Sequence, residues 1–485
     1  MTDDRTRWLA LYVLCLASLM IVLDVTIVNV ALPSIRKDLG FSETSLAWVV
    51  NAYLLTYGGL LLLGGRLGDL FGHRRLFIFG IAFFTGASLL CGLATSQGFL
   101  VAARAVQGIG GAVASAVSLS LVMTLFTEQG ERAKAMGLFG FVAAGGGSIG
   151  VLLGGILTDS LNWHWIFLVN VPIGVVVCIL CLRLLPAAPG TAQGARLDVA
   201  GAAFVTGALM LAVYAIVNGN NNGWTSAETL GLLGGAIALM AVFLTIETRV
   251  RAPLMPLRLF RLRNVAAANV VGVLWAAAMF AWFFLSALYL QFVLGYSPLQ
   301  VGLAFLPANL IMGAFSLGLS AKLVMRFGFR LPLATGLLLA AVGLALFVRL
   351  PVGGSFVVDV LPSMILLGFG AGMAFNPVLL AAMSDVEPSE AGLASGVVNT
   401  SFLMGGALGL AVLASVAASR TSSLSASGEN HLAALTGGYH AAFLIGSVFA
   451  LAAAAIGGTL LRTRTSPAGQ EAPGAIGEPA TQDAS

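Results

Sequence analysis

Apolar runs of roughly 20 residues recur along almost the whole chain, broken by short polar stretches that hold most of the charges. A run of that length crosses the hydrocarbon core of a bilayer as a helix; membrane strands would instead show alternating segments of about 10 residues. Fourteen spans are predicted, over residues 8–30, 46–64, 76–95, 99–123, 136–158, 164–185, 199–217, 229–246, 265–292, 298–320, 332–349, 360–383, 393–418 and 439–461. An even number puts both ends on one side of the membrane. Of the 24 lysines and arginines, Arg104 falls inside a span and only Arg36, Lys37, Arg349 and Arg420 fall on the side away from the termini. By the positive-inside rule both termini are then expected in the cytoplasm. Trp163 and Trp165 would lie at the outer headgroup level, where indole rings are favoured.

Composition agrees with the pattern. The chain has 485 residues, 59% hydrophobic and 9% charged, against about 25% charged in a soluble domain. The net charge of +4 reflects loop arginines and speaks of topology, not of nucleic acid. Cys15, Cys91, Cys178 and Cys181 all lie in apolar runs. Cys178 and Cys181 form a C-x-x-C without a second pair, too few ligands for zinc. The first run contains Asp24 and lacks a small-residue cleavage site, so it is expected to remain as a helix and not to leave as a signal peptide.

The chain repeats itself. Residues 65–74 (GRLGDLFGHR) align with residues 321–330 (AKLVMRFGFR) at an offset of 256, and Gly108 and Gly110 match Gly368 and Gly370 at an offset of 260. Two related six-helix bundles are predicted, residues 1–185 and 265–461. Residues 186–264 form a linker with an inserted helix pair, and 462–485, rich in Pro, Gly and Ala, form a disordered cytoplasmic tail. Related halves around a central site are the plan of many secondary transporters.

Polar residues within the spans carry the candidate chemistry. Asp24 is the only acid in mid-span and Arg104 the only base there. Burial favours the neutral acid and a nearby cation favours the anion, so such a carboxyl can take up and release a proton. The plainer reading is an acid that ties helices together. A buried cation needs a partner, which nominates Asp24 for Arg104, with Gln107 and Gly108 on the same helical face. Gly146, Gly150 and Gly154 form a small-xxx-small ridge that lets helices approach closely. The run 145–150 also reads G-x-G-x-x-G, but within an apolar helix and with no strand before it, so a dinucleotide site is excluded. No phosphate-binding loop for ATP occurs. Asn29, Asn51, Tyr53, Tyr57, Gln107, Trp275, Met279, Trp282, Asn309, Asn376 and Asn399 are candidates for a cavity accepting varied amphipathic molecules, or for helix packing. Pro307 and Pro377 are expected to open their helices locally. No histidine is expected mid-span or paired with a serine, so an embedded hydrolase is poorly supported.

These residues resemble the major facilitator superfamily, and within it the fourteen-span drug:proton antiporters of the EmrB/QacA type. Residues 23–33 (LDVTIVNVALP) look like that family's first-helix signature, and 104–108 (RAVQG) like its fourth-helix motif. Gly65, Asp69, Gly72, Arg74 and Arg75 stand as in its cytoplasmic loop motif, and 163–172 (WHWIFLVNVP) are similar to the start of its sixth helix. The resemblance implies an all-α major facilitator fold of 6+2+6 helices. It implies proton coupling by Asp24 and Arg104, and a latch built on Asp69 and its loop that holds the outward-open state. It also places Gly150, Gly154 and Gly155 in an antiporter motif of the fifth helix. Val151 replaces that motif's proline, and Leu70 and His73 replace expected basic residues. The expected function is proton-coupled export of lipophilic drugs or antibiotics across the cytoplasmic membrane by a monomer with no cofactor other than the proton gradient. The alternatives are an exporter dedicated to one endogenous product, and a membrane sensor or scaffold that moves nothing.

Overall fold

The computed structural model describes residues 4–126, 128–186, 197–250, 253–387 and 390–462. Among them the regular structure is helical. The N-terminal half contains α1 (Asp4–Leu39), α2 (Trp48–Phe71), α3 (His73–Gly92), α4 (Gln97–Leu125), α5 (Gln129–Ser160), the single turn α6 (Trp165–Leu168) and α7 (Asn170–Leu184). Next come α8 (Val199–Asn222) and α9 (Ala227–Arg249). The C-terminal half contains α10 (Arg263–Leu288), α11 (Pro298–Ala314), α12 (Ser320–Phe327), α13 (Arg330–Phe347), α14 (Leu361–Met383), α15 (Ala391–Ala426) and α16 (His431–Leu460). Twelve of the helical segments are long and apolar enough to cross a membrane, α6 and α7 counting together; Ile149–Ser160 within α5 and Pro298–Ala314 are apolar but shorter. The predicted tail lies almost wholly outside the described residues, as does the start of the predicted linker.

Polar residues punctuate the helices as local chemistry demands. Ser96 caps α4 by accepting from the Phe99 amide, Ser226 caps α9 from Thr229, and Ser297 with Gln300 forms a reciprocal capping box on α11. Each satisfies amides that the first turn leaves without partners. α1 and α15 extend well past the predicted spans, since a helix can continue beyond the hydrocarbon once its polar residues meet water. The break expected at Pro307 is absent: α11 runs through Pro307 and α14 through Pro377. The interruption falls at Gly318, whose φ of 125° closes a π-helical turn between α11 and α12, a conformation open to glycine and strained for other residues.

The repeat in sequence is a repeat in packing. Gly72 and Gly328, aligned by the 256-residue offset, both end a helix with positive φ, 91° and 71°. A Cβ on Gly110 would meet Phe84 N at 2.5 Å and Gly80 O at 3.0 Å; on Gly370 it would meet Ala340 N and Gly336 O at 2.8 Å. Thus α3 on α4 and α13 on α14 use the same glycine contact, with both partners displaced by the same offset. α8 packs on α2 and α15, and α9 on α8. The face where α1 begins and α16 ends is called the terminal face below, and the opposite one the far face.

Gly108 sets the approach of α4 to α2. A Cβ there would lie 2.1 Å from Thr56 Oγ1 and 2.5 Å from Tyr53 O, and that threonine hydroxyl already donates to Ala105 O at 2.8 Å. Gly108→Ala is therefore expected to destabilise the fold by about 1–3 kcal/mol through overpacking, read as a lower thermal midpoint in detergent. Gly130→Ala, where a Cβ meets nothing within 4 Å, serves as the control and is expected to be neutral or slightly stabilising.

Candidate functional site

Five helical segments converge on one buried polar cluster in the N-terminal half. α1 supplies Asp24, α3 Ser88, α4 Arg104 and Gln107, α7 Asn170, and α2 the Val49 carbonyl and Tyr53 ring. Asp24 and Gln107 are 0% exposed and Arg104 1%. Arg104 Nη1 donates to Asp24 Oδ2 at 2.5 Å and to Gln107 Oε1 at 2.6 Å, while Nε donates to Val49 O at 2.9 Å. Gln107 Nε2 donates to Asp24 Oδ1 at 2.7 Å and to Ser88 Oγ at 2.8 Å. Asn170 Nδ2 reaches the same Oδ1 at 3.1 Å. The guanidinium carbon lies 4.4 Å from the Tyr53 ring centre and 5.4 Å from that of Phe167.

The register of α4 makes this possible, because Arg104 and Gln107 at i and i+3 share a face and grip the two oxygens of one carboxylate. Every bond to Asp24 is donated to it, which suits the ionised form. Arg104 also has a second set of acceptors in Gln107 Oε1 and Val49 O. These two neutral acceptors would keep part of its hydrogen bonding if the carboxylate were neutralised, which softens the cost of an unpaired buried cation without removing it. Ser88 was not picked out from the sequence, and Phe167 and Asn170 were noted only as part of the sixth-helix motif, with no role. The signal for Asn170 was there: it is an amide in the otherwise apolar 166–171 stretch of the sixth-helix motif.

The glycine ridge of α5 faces α1. A Cβ on Gly146 would meet Val22 Cγ1 at 3.0 Å, on Gly150 Leu23 O at 3.0 Å, and on Gly154 Ile27 O at 2.6 Å. Gly155 faces the other way, toward the C-terminal half, where a Cβ would lie 2.7 Å from Pro298 O. Gly302 of α11 meets Val151 O at 3.0 Å in the same way. Also toward the far face, Gln291 Nε2 donates to Val30 O at 2.8 Å and Arg36 lies 4.9 Å from the Phe292 ring centre. These contacts close the two halves on each other there.

On the terminal face the loop-motif residues stay within their own half. Asp69 Oδ1 lies 3.4 Å from His73 Nε2, and Arg74 Nη2 donates to Leu182 O at 2.6 Å. A Cβ on Gly65 would meet nothing within 4 Å. Arg75 and Arg66 are exposed. Gly72 supplies the positive-φ turn between α2 and α3.

The candidate cavity residues are not gathered in one place. Tyr53 and Gln107 belong to the charge cluster, and Tyr57 stacks on Tyr53 with ring centres 5.6 Å apart. Asn29 donates to Val25 O and Thr26 O of its own helix, and Asn399 to Ser395 O. Trp275, Asn399, Phe375 and Phe402 line a cavity of only about 10 Å³. Trp282 is buried against Phe283 and Phe305. Met279 and Asn376 are half-buried. Trp275 Nε1, Trp282 Nε1, Asn309 Nδ2 and both polar atoms of Asn51 are buried without a hydrogen-bond partner among the described residues.

Comparison with known proteins places this architecture. The chain is 40% identical over 473 residues to the puromycin resistance protein pur8 of Streptomyces alboniger, covering 96% of this chain and 93% of that protein. It is 40% identical over 459 residues to the cephamycin export protein CmcT of Amycolatopsis lactamdurans, covering 94% and 93%. The multidrug resistance protein Stp of Mycobacterium tuberculosis is 36% identical over 429 residues, covering 88% and 79%. Among solved structures, a bacterial homologue of the human lysosomal transporter Spinster, inward-facing and unoccupied, superposes with a TM-score of 0.66 at 17% identity, over 96% of this chain and all of that one. The sequence profile of the Major Facilitator Superfamily matches residues 14–410, and the chain belongs to that superfamily of membrane transporters.

Proposed function

We propose that this transporter exports lipophilic small molecules in exchange for protons, with fourteen membrane-crossing helices arranged 6+2+6 and both termini in the cytoplasm. α5 and the α11–α12 unit are then the two crossings added to the twelve, and α8 and α9 the inserted pair. The observation that carries the reading is the sealed Asp24–Arg104 pair. An intramembrane acid paired with a base marks, by default, a proton or ion path. When Asp24 takes a proton it loses its hold on Arg104, which keeps Gln107 and Val49. The helices α1 and α4 are thereby loosened from each other, and α1 also carries the far-face contact of Val30 with Gln291.

The state of the two faces fits the loading step of an export cycle. The far face is closed by contacts between the halves, and Asp69 and Arg74 of the loop motif bond only within their own half, which suits the cytoplasm-facing state in which an exporter takes up its substrate. Substrate enters while Asp24 is ionised; after the halves rock, a proton binds from outside and substrate leaves. The buried indole N–H of Trp275, which lines the small cavity with Asn399, is a donor for a carbonyl or ether oxygen of a lipophilic substrate. Export also accords with the names of the three relatives, each of which speaks of resistance or export.

The test is purified protein in proteoliposomes with an imposed proton gradient and potential, following dye or antibiotic movement together with proton counterflow. Substrate movement without proton movement would remove the coupling. Two of the relatives are named for a single antibiotic each, which favours a narrow exporter as the second reading. A panel of structurally unrelated dyes and drugs on expressing cells separates the two: protection against several classes supports the broad reading, and protection against one supports the narrow reading.

A further inference from the structure

Two cavities of about 590 and 550 Å³ lie side by side toward the far face and share Arg420 and Ala441. The first sits in the seam between α8 and α15. One wall is a chain of polar groups that satisfy each other: Trp224 Nε1 donates to Asn220 Oδ1 at 2.9 Å, Asn220 Nδ2 to Ser415 O at 2.8 Å, and Ser415 Oγ to Ile216 O at 3.2 Å. This chain pins the inserted helix pair to the C-terminal half. Three further donors, all exposed, line the same cavity. Arg420, Ser419 and Ser423 make no side-chain hydrogen bond or ion pair among the described residues. A helical serine commonly bonds back to its own helix; these two, one turn apart, do not.

We infer that this cavity binds the phosphodiester headgroup of an anionic phospholipid in the leaflet at the far face. The donor set is complementary: an exposed guanidinium flanked by two exposed hydroxyls suits phosphate oxygens. The depth is right, since the half-exposed Trp224 indole marks the headgroup level. Toward the membrane centre the walls turn apolar at Ile216, Val412 and Val416, where acyl chains would begin. The anion belongs in this cavity and not in its neighbour, because Glu429 lines the neighbour and His440 there is already held by Leu350 O at 2.8 Å. A bound lipid would bridge α8 to α15 and so couple the inserted pair to movement of the C-terminal bundle.

The experiment is native mass spectrometry of the full chain in detergent, with dioleoyl phosphatidylglycerol as the probe and inorganic phosphate as competitor. The wild type is expected to retain the lipid through collisional activation, Arg420→Ala to retain at least about tenfold less, and Arg420→Lys to fall between. Ser419→Ala with Ser423→Ala is expected to weaken retention with the thermal midpoint unchanged. Arg349→Ala, a cation predicted on the same side that lines neither cavity, is expected to match the wild type. Equal retention by the wild type and Arg420→Ala overturns the site. Displacement of the lipid by millimolar inorganic phosphate overturns the lipid assignment in favour of a soluble anion.

Discussion

Asp24→Asn is expected to abolish gradient-driven efflux while leaving substrate binding measurable. The substitution keeps the size of the side chain and one acceptor oxygen, so Gln107 and Asn170 can still donate to it. It removes the negative charge opposite Arg104 and sets an amide donor against a guanidinium donor. Breaking a buried ion pair by removing one partner costs about 3–5 kcal/mol. Here the loss should fall at or below the low end, because Gln107 Oε1 and Val49 O still receive Arg104. The variant should therefore fold, with a lowered thermal midpoint that is checked first. One elementary charge moving through 100 mV supplies about 2.3 kcal/mol, enough to hold a neutral substrate at a gradient of roughly 50-fold. In proteoliposomes the variant should hold no gradient, matching empty vesicles, and substrate should no longer release protons from the purified protein. Arg104→Lys tests the other partner: it keeps the charge but loses the fork that reaches Asp24, Gln107 and Val49 together. Undiminished uphill transport by Asp24→Asn would sink the coupling mechanism.

What the sequence made legible was whatever hydrocarbon makes expensive. A lone acid and a lone base in mid-span can be matched by elimination, and the structure puts Arg104 and Asp24 in direct contact across 80 residues of chain. The glycine repeat was readable for a related reason, since backbone can approach backbone closely only where side chains are missing. Neutral partners were harder to see. Ser88 and Asn170 are ordinary residues in apolar runs, and only the fold brings α3 and α7 against α1. The break at Gly318 was missed because proline is the louder signal. Proline removes one amide donor from a helix, which a membrane helix can absorb, whereas a φ of 125° ends the α-helix outright. The scattered amides and aromatics misled in another way. Pattern shows that Trp275 and Trp282 share a face, but not that one lines a cleft while the other is stacked into the core.

Neighbouring glycines on α5 should give opposite kinds of failure, and the difference tests alternating access directly. Gly155 lies against the backbone of Pro298 and Leu299, where a Cβ would come within 2.7 and 3.0 Å. These are backbone atoms on the other half, so no rotamer change relieves the clash; α5 and α11 must separate. Gly155→Val therefore adds about 1–3 kcal/mol of overpacking to the state in which the far face is closed, and nothing to the state in which it is open. A bias of that size shifts a two-state population by about 5–150-fold. Spin labels at Leu161 and Leu303, both exposed, should report a longer distance in Gly155→Val than in the wild type, and transport should fall because the cycle stalls outward. Gly154 instead meets Ile27 O at 2.6 Å, within its own bundle, and that contact persists whichever face is open. Gly154→Val should lower the thermal midpoint with the label distance unchanged. If both variants lose stability and neither lengthens the distance, the α5–α11 contact is ordinary packing and does not gate the far face.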